Sequence, residues 1–275
     1  MITALCNIYI GSDEKLALFK ETFPLVYKIS DNWLVNIRGK HRKQVVAYVK
    51  KEFKDYRNNV TFFDNLYEDN WAKSTIKILE KSRYDYLYVF LEDHFLLKPI
   101  SHFKSVIESM KKNNIDYFQY SFFNIGFSEN SVEHIQPNTC EHFNFFTLKS
   151  EHLPLLRKTN SAFYPYSLIG ISSKKFFEKL IKIEQKYLIY VSKYIQALMQ
   201  NIIFFYPKDR AFWFKINKIM KYFGLRFVIY PPKTPFNLEK SLFDCDDDIL
   251  PFKLGVLKEE LFANWDDDNK LSNSS

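Results

Sequence analysis

Short apolar runs alternate with amphipathic segments through the first half of the chain, and this order restricts the fold more than any other feature. Five runs have the length and composition of buried strands: residues 2–10, 33–37, 60–63, 86–91 and 115–122. The segments between them carry apolar residues at helical spacing, and the connections are short. Strands that alternate with helices in this way favour a doubly wound, mostly parallel sheet with right-handed crossovers. We therefore predict an α/β fold with helices on both faces of the sheet.

Four helices are predicted between these strands, each with one apolar stripe and a polar remainder. They cover residues 13–23, 41–53, 71–79 and 101–112. Pro24 is expected to end the first helix. Residues 124–161 lose the alternation and are predicted to form loops with room for one hairpin. A further strand at 166–171 and a long helical stretch follow.

Composition excludes several classes of protein. The 275 residues include only 6 glycines, and neither the G-x-G-x-x-G nor the G-x-x-x-x-G-K-[ST] pattern occurs, so the dinucleotide and P-loop fingerprints are absent. The 3 cysteines form no C-x-x-C pair, which excludes a cysteine-based zinc site and fits a reducing compartment. There is no signal-peptide pattern and no apolar run of membrane-spanning length. The expected location is the cytoplasm, with attachment to the inner face of the membrane left open.

Charge is distributed unevenly along the chain. The net charge is +7, but the segment from Ser241 onwards contains nine acidic and three basic residues and carries −6, so the remainder carries +13. A basic body with an acidic tail indicates anionic partners, such as nucleotide phosphates, a lipid surface or nucleic acid.

An acidic pair follows the fourth predicted strand. Residues 86–91 are apolar or aromatic, and Glu92, Asp93 and His94 come directly after them. Ligands of parallel sheets bind beyond the carboxyl ends of the strands, so this pair is expected at the mouth of the sheet. It suits a metal ion, a diphosphate bridged by a metal, or a sugar hydroxyl. Such a pair can equally cap the next helix or remain solvated.

On these residues the chain resembles the GT-A glycosyltransferases, which bind nucleotide-diphosphate sugars. The resemblance covers residues 2–179 and centres on strand 86–91 with Glu92-Asp93-His94, which match the place of the family's Asp-x-Asp motif. More narrowly, the stretch is similar to bacterial transferases of surface-polysaccharide synthesis, such as those for capsule or lipopolysaccharide. The resemblance implies a GT-A-like, Rossmann-like catalytic domain over 1–180. It implies a helical, acceptor-side extension with the acidic tail over 181–275.

The resemblance also implies a divalent metal ion, Mn²⁺ or Mg²⁺, that neutralises the diphosphate of the nucleotide-sugar donor. Glu92, Asp93 and His94 are its predicted ligands, and Asp93 is also a predicted catalytic residue. Glu92 and His94 depart from the family motif, which has Asp at both positions, and His favours Mn²⁺ over Mg²⁺. The residues predicted to contact the donor are Asn7, Arg38, Lys73 and Glu92.

Transfer to a hydroxyl also needs a general base, usually a carboxylate. Glu239 is the candidate, because its segment, residues 234–240, can fold back over the acceptor. Asp116 at the start of the fifth strand and Glu184 on the long helix are the alternatives. Glu239 can instead be a carboxylate that starts a helix after Pro235.

More than one class of function remains open at this point. The first is an inverting glycosyltransferase that acts on a saccharide or lipid-linked acceptor. The second is a non-catalytic protein whose basic, aromatic surface binds nucleic acid or an anionic membrane. Nucleic acid is the weaker partner, because no RNP, KH or zinc-knuckle pattern occurs. A nucleotidyltransferase normally needs a Gly-rich loop after the first strand, which Gly11 alone does not supply.

A basic amphipathic segment at 210–226 predicts a peripheral membrane contact, and its apolar face can also pack on the preceding helix.

Overall fold

Strands and helices alternate in a computed structural model of the protein, which describes residues 1–54, 59–64, 71–119, 135–152, 170–190 and 249–264. The strands are β1 Thr3–Tyr9, β2 Asn32–Arg38, β3 Asn59–Phe62, β4 Tyr86–Val89, β5 His94–Leu96, β6 Tyr117–Gln119, β7 Asn138–Thr139, β8 Phe143–Leu148, β9 Ile171–Ser173, β10 Phe252–Leu257 and β11 Phe262–Asn264. The α-helices are α1 Asp13–Val26, α2 Arg42–Glu52, α3 Trp71–Leu79, α4 Ile100–Lys112 and α5 Lys174–Tyr190.

Nine strands form the central sheet, in the order β3-β2-β1-β4-β9-β6-β10-β8-β7. The first four strands in this order are parallel. Strand β9 is antiparallel to both of its neighbours, whereas β6 and β10 are parallel to each other. Strand β8 is antiparallel to β10 and to β7, which forms the predicted hairpin with it. The predicted α/β class is confirmed, and the sheet is mixed because β9 and β8 run against their neighbours.

Buried polar pairs fix the register of β1 and β2. Strands β1 and β2 are buried along almost their whole length, as expected for parallel strands covered on both faces. Thr3 Oγ1 donates to Asn32 Oδ1 at 2.8 Å, and Asn36 Nδ2 donates to Asn7 Oδ1 at 2.9 Å. Both pairs are direct partners in the strand register. Because a buried polar group is costly unless hydrogen-bonded, a shift of register would break both pairs.

Helix α1 continues through Pro24 to Val26, so the predicted end of this helix at Pro24 is wrong. Proline has no backbone N–H, and the carbonyl of Lys20 therefore loses its usual partner four residues on. The hydroxyl of Tyr48 on α2 donates to that carbonyl at 3.2 Å. A side chain from the neighbouring helix thus supplies the hydrogen bond that Pro24 cannot make.

Aromatic side chains join α1 and α2 to one face of the sheet. The ring of Phe23 lies 5.3 Å from Trp33, 5.7 Å from Phe53 and 5.8 Å from Phe90, all in edge-to-face arrangements. Between β3 and β4 the chain reverses its direction across the sheet, so a right-handed crossover places α3 on the opposite face. There Trp71 of α3 packs edge-on against Phe177 of α5, at 6.4 Å.

The last described segment corrects the predicted helical extension. Strand β10 lies inside the central sheet between β6 and β8, and β11 pairs with β5 in a separate two-stranded ribbon. Residues 249–264 were predicted to belong to the extension and its tail, and that prediction is wrong for them, because they complete the sheet. Residues 191–248, which include the predicted amphipathic segment 210–226, lie outside the described ranges. Within those ranges, no helix combines the length and apolar surface that a bilayer crossing requires.

Candidate functional site

The carboxyl ends of β1 and β4 lie side by side where the strand order reverses. From β1 the chain moves to β2 and β3 on one side, and it returns to β4 on the other. Ligands of open α/β sheets bind in the crevice outside the carboxyl ends at such a switch point. We call the space bordered by residues 9–15, which lead out of β1, and residues 90–94, which follow β4, the switch-point crevice.

Backbone hydrogen bonds tie the exit of β1 to the exit of β2. The amide of Ile10 donates to the carbonyl of Arg38 at 2.8 Å, and the amide of His41 donates to the carbonyl of Ile10 at 3.2 Å. Gly39 between them has a φ of 98°, and a Cβ there would collide with the carbonyl of Ile10. Only glycine fits this position without strain. The edge of the crevice beside β2 is therefore held in one conformation.

Asp93 is the more exposed carboxylate of the acidic pair, with 32% of its side chain accessible against 9% for Glu92. Its Oδ1 lies 2.7 Å from Nδ1 of His94, whose ring is buried. A buried imidazole that contacts one carboxylate oxygen fixes the orientation of the group. His94, predicted as a metal ligand, therefore positions Asp93 in this structure.

The electrostatic surroundings keep Asp93 ionised. Burial acts to raise its pKa, but the hydrogen bond and charge interaction with His94 outweigh burial, with smaller contributions from its own backbone amide and from Lys15. The pKa of Asp93 consequently lies below its ordinary value. At neutral pH the crevice contains a fixed negative charge at this residue.

The side chain of Glu92 contacts α1, whereas that of Asp93 contacts His94. Its Oε1 forms an ion pair with Nζ of Lys15, in the first turn of that helix. Its carbonyl accepts a hydrogen bond from the hydroxyl of Thr22 at 3.0 Å. Burial raises the pKa of the nearby Cys6 thiol well above its ordinary value, and the charge of Glu92 adds to that effect. The ion pair thus links the two sides of the switch-point crevice.

The implied metal ion needs several ligands that face one point. Among the described residues, no three His, Cys, Asp or Glu side chains converge on a common point, so the predicted set of Glu92, Asp93 and His94 is not assembled there. Mg²⁺ in phosphate sites is usually held by one or two carboxylates together with substrate phosphates and water. Asp93 is ionised, oriented and partly exposed, so it can serve as the single protein carboxylate of such a site.

Asn7 was predicted to contact the donor, but its side chain is buried and turned towards α3 and β2. Its Nδ2 donates to Thr75 Oγ1 at 2.9 Å and to Ser74 Oγ at 3.3 Å, and its Oδ1 accepts from Asn36. Its carbonyl accepts from Nε1 of Trp71 at 2.9 Å. These contacts occupy the side chain and fasten α3 to the sheet below the crevice.

The remaining predicted site residues fall into three groups. Arg38 ends β2, and Lys73 lies in the first turn of α3; both are half-buried near the edge that contains the crevice. Asp116 precedes β6, so it lies at the amino ends of the parallel strands, away from the crevice. Its Oδ2 accepts a hydrogen bond there from the amide of Lys253 at 2.8 Å. Glu239 and the side chain of Glu184 lie outside the described residues.

Tyr9 also borders the switch-point crevice, and it was not among the predicted site residues. It ends β1 and is 59% exposed, and it is the direct partner of Arg38 in the strand register. A Cβ at Gly11 would lie 2.6 Å from the Tyr9 ring, so glycine leaves room for that ring. In the sequence Tyr9 looks like one more residue of a buried run. The sequence feature that could have indicated an exposed ring here is an aromatic residue at the end of the strand with a glycine two positions later.

No protein-family model and no curated protein matches this chain. Fold and site alone therefore define the class: an α/β protein with a mixed central sheet and a charged crevice at the switch point.

Proposed function

We propose that the protein is a GT-A-like glycosyltransferase that moves a sugar from a nucleotide-diphosphate sugar to a saccharide or lipid-linked acceptor. The observation that supports this most is the position of Asp93, an ionised and oriented carboxylate at the switch point of a doubly wound sheet. Nucleotides bind at this place in such sheets, because the loops there leave room for the phosphates.

Different residues around the crevice are proposed to bind the base and the phosphates of the nucleotide. The exposed ring of Tyr9 offers a face on which a nucleotide base can stack, with the guanidinium of Arg38 on the adjacent strand. Arg38 and Lys73 supply positive charge for the phosphates. A divalent ion, Mn²⁺ or Mg²⁺, when bound through Asp93, would add positive charge to the leaving diphosphate.

The reaction itself is an inverting displacement. The acceptor oxygen forms a bond to the anomeric carbon while the bond from that carbon to the diphosphate oxygen breaks, and the electron pair leaves with the nucleoside diphosphate. The hydroxyl proton passes to a carboxylate base, for which Glu239 is the proposed residue. We further propose that the acceptor belongs to capsule or lipopolysaccharide synthesis and is reached from the cytoplasmic side of the membrane.

A panel of nucleotide sugars tests this proposal directly. Each compound is added with Mn²⁺, with Mg²⁺ or with excess chelator, and both the melting temperature and the release of nucleoside diphosphate are measured. We expect one nucleotide class to raise the melting temperature and to be hydrolysed slowly without an acceptor. If no compound in the panel binds under any metal condition, the protein is not a nucleotide-sugar transferase.

Truncation of Tyr9 should weaken nucleotide binding specifically through the base. Stacking on an aromatic ring contributes about 1–3 kcal/mol per base, so Tyr9→Ala is expected to lower the affinity for the preferred nucleoside diphosphate by about tenfold. Tyr9→Phe keeps the ring and should bind nearly as well as wild type. Calorimetric titration with the nucleoside diphosphate and with inorganic pyrophosphate separates the contribution of the base to the affinity from that of the phosphates, because pyrophosphate has no base. Equal losses for both ligands would mean that Tyr9 does not stack on the base.

A further inference from the structure

The ion pair between Lys15 and Glu92 is asymmetric in its exposure. Half of the Lys15 side chain is accessible to solvent, whereas only 9% of the Glu92 side chain is. Glu92 is also fixed through its backbone, since its carbonyl accepts from Thr22. A buried carboxylate is costly unless it is paired, so Glu92 holds the ammonium group at a defined place.

Lys15 retains binding capacity while it contacts Glu92. An ammonium group has three N–H donors, and the contact that the structure shows is to a single carboxylate oxygen. Lys15 lies in the segment 9–15 that borders the crevice, and its charge contributes to the lowered pKa of Asp93. Lys15 is thus a positioned cation at the switch point, with donors left for an anion.

We propose that Lys15 binds the diphosphate of the donor and that Glu92 is the positioning residue that holds Lys15, and not a metal ligand. The identity of the anion rests on the proposed function; the cation site itself rests on the geometry. Lysine binds phosphate as a compact point charge, and a pre-positioned side chain loses less conformational entropy when the ligand arrives.

Glu92 can be a positioning residue for Lys15 or a metal ligand, and these two roles predict different results for Glu92→Gln. Glutamine keeps the size of the side chain and an oxygen that can accept from Lys15, but it removes the negative charge. If Glu92 holds Lys15, the positive charge of Lys15 becomes less compensated and anion affinity stays the same or rises. If Glu92 is a metal ligand, the variant loses the Mn²⁺-dependent part of binding.

The experiment is calorimetric titration with inorganic pyrophosphate, in excess chelator and in Mn²⁺. Lys15→Gln alone leaves Glu92 buried without its partner and can impair folding. The decisive comparison is therefore Glu92→Gln against the double variant Lys15→Gln/Glu92→Gln, in which neither position carries a charge. We expect the double variant to bind pyrophosphate in chelator at least about tenfold more weakly than Glu92→Gln, because hydrogen bonds to charged groups are among the stronger ones. Lys15→Arg should retain most of the affinity. Lys20→Gln, an exposed lysine later on the same helix, is the matched control and should change nothing.

Two results would overturn the inference: equal pyrophosphate affinity in the two glutamine variants, or no pyrophosphate binding by the wild type. The transfer assay separates this outcome from failure of the proposed function. If pyrophosphate binds through Lys15 but no nucleotide sugar is used, the anion site stands and the proposed function fails. If transfer occurs and the double variant transfers as fast as Glu92→Gln, the proposed function stands and the role of Lys15 fails.

Discussion

Replacement of Asp93 by Asn is expected to lower the rate of sugar transfer by about 100-fold or more, while the protein stays folded. Removing one group that stabilises charge in a transition state typically costs about 10²–10³ in kcat. Asn has nearly the same shape as Asp, but it carries no charge with which to bind a metal ion. Because Asp93 is partly exposed at the crevice, the loss of charge should not disturb the core.

The measurement compares kcat, KM and melting temperature of Asp93→Asn with those of the wild type. Asp85→Asn is the matched control, because Asp85 is an exposed carboxylate just before β4, at the other end of the same strand. The control should retain full activity. Near-normal kcat in Asp93→Asn would place the reacting centre elsewhere in the molecule.

Replacement of Asn7 by Ala is expected to destabilise the protein by about 2–3 kcal/mol, because it removes three buried side-chain hydrogen bonds, each of which contributes about 1 kcal/mol. These bonds connect β1 to β2 and to α3. Chemical denaturation should show a lower midpoint with an unchanged slope, since the surface exposed on unfolding is the same.

Asn113→Ala is a suitable control for this stability change. The side chain of Asn113 donates one part-buried hydrogen bond, from Nδ2 to the carbonyl of Ser109 at the end of α4, and the loss of this bond should cost less. Nucleotide affinity, measured well below the denaturation midpoint, decides between the two roles of Asn7. A stable variant with weakened donor binding would restore Asn7 as a ligand contact, as the sequence predicted.

The helices and strands that could be predicted from the sequence are those that follow from the pattern of apolar residues within a single segment. Helix α3 was predicted with its observed bounds, because Ile76 and Leu79 are three residues apart and therefore share one face of a helix; Leu79 is buried and Ile76 is half-buried. Strands β1 and β2 were predicted because both are mostly apolar runs, and both are buried except at their last residue. The position of the acidic pair after β4 followed from the same pattern.

The parts that could not be predicted depend on contacts between distant residues. The partner of Glu92 is Lys15, which is 77 positions away, and nothing near either residue indicates the pair. Helix α1 passes through Pro24 because Tyr48 bonds to the carbonyl of Lys20 from another helix. Strand β10 lies between acidic segments, and its place in the sheet is set by pairing with β6 and β8.

The late position of β10 and β11 in the chain affects the order in which the protein can fold during synthesis. The strands from β1 to β6 leave the ribosome first, but β6 and β8 have no neighbour between them until β10 emerges. Open strand edges invite pairing with other chains, so a partly synthesised chain is exposed to aggregation during this interval. Strand β5, which begins at His94, receives its partner β11 later still. The strand that follows Asp93 is therefore paired only after residues 262–264 have been made.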